Sequence, residues 1–388
     1  MNYSERILTL PPYLFASIDE SKKAMIDKGV DVIDLGVGDP DRPTPSHIVE
    51  SMVDAVRDPK NHQYPSYVGL MEFRVAVADW MKKTRNVTVD PKTQVLTLLG
   101  SKEGVAHVPF AFINPGDVVL CPNPGYPVYT IGTKFACGVP YEMPLLAKNN
   151  FLPDYDAIPK DVLKKAKLLF INYPNNPTGA VADKAFFEKT VKFAKENDLI
   201  VVHDNAYSEM VYDDYKSPSF FEIPGAMDVG IEFYSMSKTY NMTGWRLGFA
   251  VGNKDLIAAF GKVKSNIDSG AFDAIQRAGI TALTSSQQCV AEMNAVYTQR
   301  RNVLIDGLKS IGLDVKPQKA TFYVWAPVPE GYDSMGFAKL LLEEAGIVVT
   351  PGVGFGKSGE GFVRFALTKE VTRINEAVER MKKIKSKI

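Results

Sequence analysis

Cysteine is scarce in this chain: Cys121, Cys137 and Cys289 are the only three in 388 residues, odd in number and far apart. That excludes a disulfide framework and a CxxC-type zinc site, and the thiols read as the reduced thiols of a cytoplasmic protein. Histidine is nearly as rare, with four at positions 47, 62, 107 and 203. None stands at the i, i+4 spacing of a helical ligand pair, so no metal is expected. An excess of one charge is missing too: 45 basic residues face 45 acidic ones. Without a field to gather polyanions, nucleic acid and anionic membrane surfaces are poor partners, and small molecules are the expected ones. No apolar run reaches the ~18 residues of a membrane helix, and residues 1–15 lack the basic start and apolar segment of a secretory signal.

What the chain has is core material. With 45% hydrophobic and 23% charged side chains, a chain of this length buries a large core and is expected to divide into two domains. Short runs rich in Val, Ile and Leu at 95–99, 117–121, 168–172, 199–203, 232–235 and 246–251 alternate with longer amphipathic stretches. That alternation predicts a mostly parallel sheet with helices on both faces. Between two of the runs, Phe186, Phe187, Thr190, Val191 and Ala194 form one apolar stripe of a helix over 183–196. A longer helix over 286–308 leads into runs at 313–315, 321–326, 347–349 and 362–366 that read as antiparallel strands of a smaller α+β domain. A helix over 18–28 and a short strand over 32–35 group with that domain. The expected division is residues 1–45 as an N-terminal arm and part of the small domain, 46–285 as the large domain, and 286–388 as the rest of the small one.

Two glycine patterns lead nowhere. Gly352, Gly354 and Gly356 do not open a strand-turn-helix unit, and the position five before Gly356 is Pro351, so neither a dinucleotide fingerprint nor a Walker loop is present.

The chemistry-bearing residues follow the strands. Lys238 ends Ser235-Met236-Ser237-Lys238, directly after an apolar run. Such a lysine is ordinarily just solvated, and context decides otherwise here. Asp204 stands at the carboxyl end of another run, where open α/β sheets place ligands, although a helix cap is the plainer use of an aspartate there. Tyr207 lies three residues on, and Asn176 opens Asn176-Pro177-Thr178-Gly179, by composition an ordinary turn. Gly100-Ser101-Lys102 lies between a strand and a helix start, where backbone N–H groups bind phosphate, and Ser235, Ser237 and the planar fork of Arg246 complete an anion cradle. Together these are the parts pyridoxal 5'-phosphate (PLP) requires: an amine, a carboxylate for its ring nitrogen, donors for its ring oxygen and an anchor for its phosphate.

Asn176-Pro-Thr-Gly, Asp204 with Tyr207, Ser235-Met-Ser-Lys238 and Arg246-Leu-Gly-Phe, in this order, resemble the fold-type I PLP enzymes of the class I/II aminotransferase group over about residues 35–368. The resemblance implies an α/β PLP-dependent transferase fold with a large, mostly parallel-sheet domain and a smaller α+β domain. It makes Lys238 the catalytic Schiff-base lysine, Asp204 the pyridinium partner, Tyr207 and Asn176 the ring-oxygen donors, and Tyr126, in Pro124-Gly-Tyr-Pro127, the stacking ring. Ser101, Lys102, Ser235, Ser237 and Arg246 resemble the phosphate shell. Arg364, in Val363-Arg-Phe-Ala366, resembles the clamp on the substrate carboxylate, helped by Gly38. Tyr64 is expected at the phosphate of a neighbouring subunit, which implies a homodimer with shared active sites.

A narrower likeness is carried by residues 10–15, 62–67, 100–104 and 241–246, which are similar to the LL-diaminopimelate aminotransferases. It implies amino transfer from glutamate to tetrahydrodipicolinate, in lysine biosynthesis. Tyr13, Lys102 and Asn266 resemble residues that meet the far end of that two-headed substrate, with Tyr13 reaching in from the partner subunit. Tyr67 stands where some members carry a glutamate. Aminotransferases for aspartate, alanine or aromatic amino acids, and a carbon–sulfur β-lyase using the same lysine and carboxylate, remain alternatives.

Overall fold

The computed structural model describes residues 2–10 and 14–388. Twelve strands occur among them. The first eight are β1 (Ile33–Asp34), β2 (Val95–Leu98), β3 (Val118–Asn123), β4 (Val139–Pro144), β5 (Ala166–Ile171), β6 (Ile200–Asp204), β7 (Gly230–Ser235) and β8 (Gly248–Gly252). The last four are β9 (Tyr323–Pro327), β10 (Ile347–Val348), β11 (Thr350–Pro351) and β12 (Phe362–Ala366).

Seven strands form one sheet in the order β2-β8-β7-β6-β5-β3-β4. Only β8 runs against its neighbours, β2 and β7. The central strands are continuous apolar runs because helices cover both faces. One core, around Phe73, Trp80, Phe187, Phe220 and Phe249, fills one side, and another, around Val105, Tyr129, Phe170, Phe233 and Phe260, fills the other. The helix Lys184–Glu196 shows why the sequence folds so: the Asp183 carboxylate caps it by accepting from the Phe186 N–H at 2.8 Å. Its buried residues are the expected stripe of Phe186, Phe187, Thr190, Val191 and Ala194.

A third core joins the C-terminal elements to residues near the N-terminus, Ile33 and Leu35 among them. There β9, β12 and β11 form an antiparallel sheet. The run at 347–349 departs from expectation, since β10 pairs parallel with β1. The run at 313–315 pairs with nothing: Leu313 and Val315 are buried, yet the backbone there is irregular. Strand β9 starts at Tyr323 rather than 321, because Thr321 has φ 67°, a left-handed conformation that interrupts extended backbone. Edge strand β4 was not expected, as Pro140 and Pro144 argue against a strand except at a sheet edge.

Hydrogen bonds tie the early segment to the C-terminal elements: the Ala366 N–H of β12 donates to Leu35 O at 2.6 Å, the Thr350 hydroxyl of β11 donates to Gly36 O at 3.0 Å, and Arg300, from the helix Gln288–Ser310, grips Asp41 through both Nη atoms at 2.7 and 2.8 Å. Residues 36–38 are thereby delivered to the edge of the large sheet. Among the described residues no helix is long and apolar enough to cross a membrane.

Candidate active site

The loops leaving β2, β5, β6 and β7 all emerge at the carboxyl edge of the large sheet, where a βα architecture leaves a crevice. They surround a cavity of about 420 Å³, closed on the other side by Gly38, Tyr323, Phe355 and Arg364.

Asp204, the last residue of β6, is buried in its floor. One carboxylate oxygen, Oδ2, accepts from the Tyr129 hydroxyl at 2.9 Å, and among the described residues Oδ1 has no hydrogen-bond partner. Burial pushes its pKa up to about 6, opposed by the Tyr129 hydrogen bond, the nearby His203 and the backbone N–H of Ala206. Lys238, in the short helix Met236–Thr239 after β7, donates from Nζ to Gly38 O at 3.2 Å. Removal from water pushes this amine down to about 8; Asp39 opposes that, while Arg246 and Arg364 reinforce it. The result is a lysine with a substantial neutral fraction near physiological pH.

The anion cradle is built at the start of the helix Ser101–Phe112. Gly100 has φ +81°, and a Cβ there would collide with the Arg246 guanidinium, so only glycine lets the two approach. Arg246 Nη1 is held by Thr243 O at 2.8 Å, and Ser235 Oγ accepts from the Ser237 N–H at 3.2 Å. Lys102 Nζ lies 5.6 Å from the centre of the Tyr126 ring.

Arg364, from β12, is buried and stacked between aromatic rings, 4.1 Å from the Tyr323 centroid and 4.6 Å from that of Phe355. Its Nη1 donates to Asn176 Oδ1 at 2.8 Å and its Nη2 to Gly36 O at 2.8 Å. Asn176 is itself held by its N–H donating to Asn172 Oδ1 at 2.8 Å, and the Asn172 amide donates to Asp204 O at 2.7 Å. Tyr207 and Tyr323 share a hydroxyl–hydroxyl hydrogen bond of 3.2 Å.

Of the residues singled out from sequence, Gly38, Ser101, Lys102, Tyr126, Asn176 and Asp204 line this one cavity. So do Tyr207, Ser235, Ser237, Lys238, Arg246 and Arg364. Tyr64 does not: it is 91% exposed and lines a surface recess with His62, Gln63 and Pro65. Asn266 is also elsewhere, exposed, its side-chain N–H donating to Lys262 O at 2.8 Å as it caps the end of a helix. Tyr13 lies outside the described residues. Sequence reasoning missed Asp19, Asn172, Tyr129, Tyr323 and Phe355, which also line the cavity. The i, i+3 spacing of Tyr126 and Tyr129 offered a hint of one; Tyr323 and Phe355 depend on sheet pairing alone.

A two-domain-sized α/β chain with a lysine, a carboxylate and an arginine converging on one crevice defines a class, and comparison names it. The model of the family described as aminotransferase class I and II matches residues 30–381, and the chain belongs to that family. It is an enzyme, a transaminase of fold type I, and enzymes of this family depend in general on PLP. The LL-diaminopimelate aminotransferase of Syntrophobacter fumaroxidans is 60% identical over 381 residues, 98% of each chain. That of Moorella thermoacetica is 55% identical over 388 residues, the full length of both. Among solved structures, substrate-bound BacF from Bacillus subtilis superposes with a TM-score of 0.95 at 39% identity, covering 99% of this chain and 98% of that one.

Proposed function

We propose that this enzyme is PLP-dependent and interconverts tetrahydrodipicolinate plus glutamate with LL-2,6-diaminopimelate plus 2-oxoglutarate, as a cytoplasmic homodimer. The substrate rests on the curated relatives, which are 52–60% identical over nearly their whole length. The cofactor rests on one observation above others, the unpartnered Asp204 Oδ1 buried in the cavity floor. A carboxylate buried at such cost is the natural partner of a protonated ring nitrogen, and the charge pair relieves the burial. The glycine-opened helix start beside Arg246 likewise suits a dianionic phosphate. The residues present fit the group.

When bound, PLP supplies the electron sink that allows the α-proton of an amino acid to leave. The chain supplies the rest. Asp204 keeps a positive charge on the ring nitrogen. Ser101, Ser235, Ser237 and Arg246 would hold the phosphate, Tyr126 would pack on the ring, and Asn176 and Tyr207 would donate to its oxygen. Arg364, its plane set by Tyr323 and Phe355, orients the substrate through the α-carboxylate, so that the α-proton faces Lys238. Lys238 Nζ, with its lowered pKa, takes that proton and returns it. Tyr64, so exposed in the single chain, would reach the phosphate of a neighbouring subunit. Tyr13 and Lys102 meet the distal end of the substrate.

The test uses the purified protein. Visible absorption from bound cofactor should change on adding LL-diaminopimelate or glutamate, and far less with aspartate, alanine or phenylalanine. Lys238→Ala should bind cofactor and lose turnover. A spectrum that responds to aspartate but not to LL-diaminopimelate would overturn the substrate, and retained turnover in Lys238→Ala would overturn the mechanism.

A further inference from the structure

Six charged side chains line the active-site cavity: Lys102, Lys238, Arg246 and Arg364 carry positive charge, Asp204 and Asp19 negative. Five have a use. Asp204 is buried and bonded to Tyr129, so it belongs to the cofactor end. Asp19 has no such use. It is an exposed residue of the helix Leu14–Asp27 and belongs to none of the motifs, yet it forms part of the same wall.

Its surroundings keep the carboxylate free. Lys22, one turn further along the helix, is the obvious ion-pair partner at i, i+3. Instead, Lys22 Nζ lies 2.6 Å from Asp34 Oδ2, and Asp34 is fixed in turn by accepting from the Gly36 N–H at 2.9 Å. Among the described residues, nothing hydrogen-bonds or pairs with Asp19. A carboxylate without an ion-pair partner on the wall of a ligand cavity attracts a cation, and Lys23, at i, i+4 on the same helix, makes no ion pair with it.

We infer that Asp19 is a specificity-determining residue that binds the distal ammonium of a substrate with two amino-acid heads. The inference rests on the function proposed above and deepens it. Such a substrate brings two carboxylates and two ammonium groups. Arg364 takes the proximal carboxylate, the proximal amine reacts, Lys102 is placed for the distal carboxylate, and Asp19 is the remaining group of matching sign. A single-headed dicarboxylate such as glutamate has nothing to give Asp19, whose charge acts against a distal carboxylate that strays toward it.

The test compares kcat/KM for LL-diaminopimelate and for glutamate in the holoenzyme, wild type against Asp19→Asn. Losing a charge-assisted hydrogen bond is expected to lower the diaminopimelate-to-glutamate ratio at least about tenfold, mainly through KM for diaminopimelate. Asp19→Glu should restore part of the ratio. Binding of pimelate, which has both carboxylates and no ammonium, gives a second readout by calorimetry, and Asp19→Asn should bind it no more weakly than wild type. An equal fall for both amino acids, an unchanged ratio, or weakened pimelate binding would overturn the role of Asp19. A wild-type enzyme that fails to use LL-diaminopimelate at all would instead overturn the substrate reading, so the two failures are distinct. Because Asp19 is exposed on its helix, the variant is expected to fold, and its melting temperature checks this.

Discussion

Arg364 and Asn176, 188 residues apart in sequence, are joined by a hydrogen bond of 2.8 Å from the guanidinium to the amide oxygen. It crosses the cavity, from a strand of the C-terminal sheet to the loop after β5, and holds the guanidinium in place. Arg364→Lys keeps the charge but loses the fork, the stacking between Tyr323 and Phe355 and the bond to Asn176. KM for amino acid substrates is expected to rise about 10- to 100-fold, measured with the variant loaded with cofactor, while the absorption of bound cofactor persists.

Among the described residues, Tyr129 is the one side chain that donates to the Asp204 carboxylate. Tyr129→Phe leaves the stacking on Phe170 in place and removes that donor. The carboxylate then loses an interaction that favours its charged form, so its pKa rises further and its grip on a ring nitrogen weakens. Cofactor affinity, read by equilibrium dialysis, is expected to fall about tenfold, the effect of ~1.4 kcal/mol.

The raised pKa of Asp204 carries a signed prediction for the cofactor-free protein. Its folded value of about 6 exceeds the ordinary 3.8. The folded state therefore holds this proton more tightly than the unfolded chain does. The stability it contributes is full below about pH 4 and is lost as pH rises through 6, a change on the order of 3 kcal/mol. Asp204→Asn should remove it. The difference in melting temperature between variant and wild type, measured across pH 4–8, checks this; bound PLP should shrink the difference.

Lys238, lowered to about 8, should react with an aldehyde at a pH where ordinary lysines are silent. The rate at which cofactor-free protein develops the absorption of bound PLP is expected to climb between about pH 7 and 9 and then level off. A climb that continued past pH 10 would show the amine to be unperturbed.

Gly100 tests the anion cradle. Gly100→Ala forces a Cβ into the Arg246 guanidinium at a backbone φ of +81°. Cofactor binding should weaken at least about tenfold, and inorganic phosphate should compete less well; the backbone strain alone costs about 1 kcal/mol.

Strands β2, β3 and β5 to β8 were legible because a strand buried on both faces must be apolar throughout, so each stood out as a short Val, Ile and Leu run. The stripe of Lys184–Glu196 was legible for the related reason that one helix face meets the core. The motif residues could be read because each follows such a run directly: Asp204 ends β6, and Lys238 follows β7 within three residues. Strand β4 escaped because edge position, which no local pattern reveals, is what permits its prolines. The run at 313–315 misled because burial alone gave it an apolar pattern without a neighbouring strand to pair with.

By itself the sequence singled out the lysine, the carboxylate of Asp204 and the arginines, and local hydrophobic patterning placed most of them at strand ends. Only the tertiary structure decided who faces whom. The pairing of β1 with β10 and of β9 with β12 brings Gly38, Tyr323 and Arg364 over the crevice; the packing of the helix Val128–Phe135 on the large sheet brings Tyr129 to Asp204, and the helix Leu14–Asp27 carries Asp19 to the cavity wall. These contacts join residues far apart along the chain, and their geometry is set by how separate sheets and helices pack, a property that no stretch of the chain holds alone.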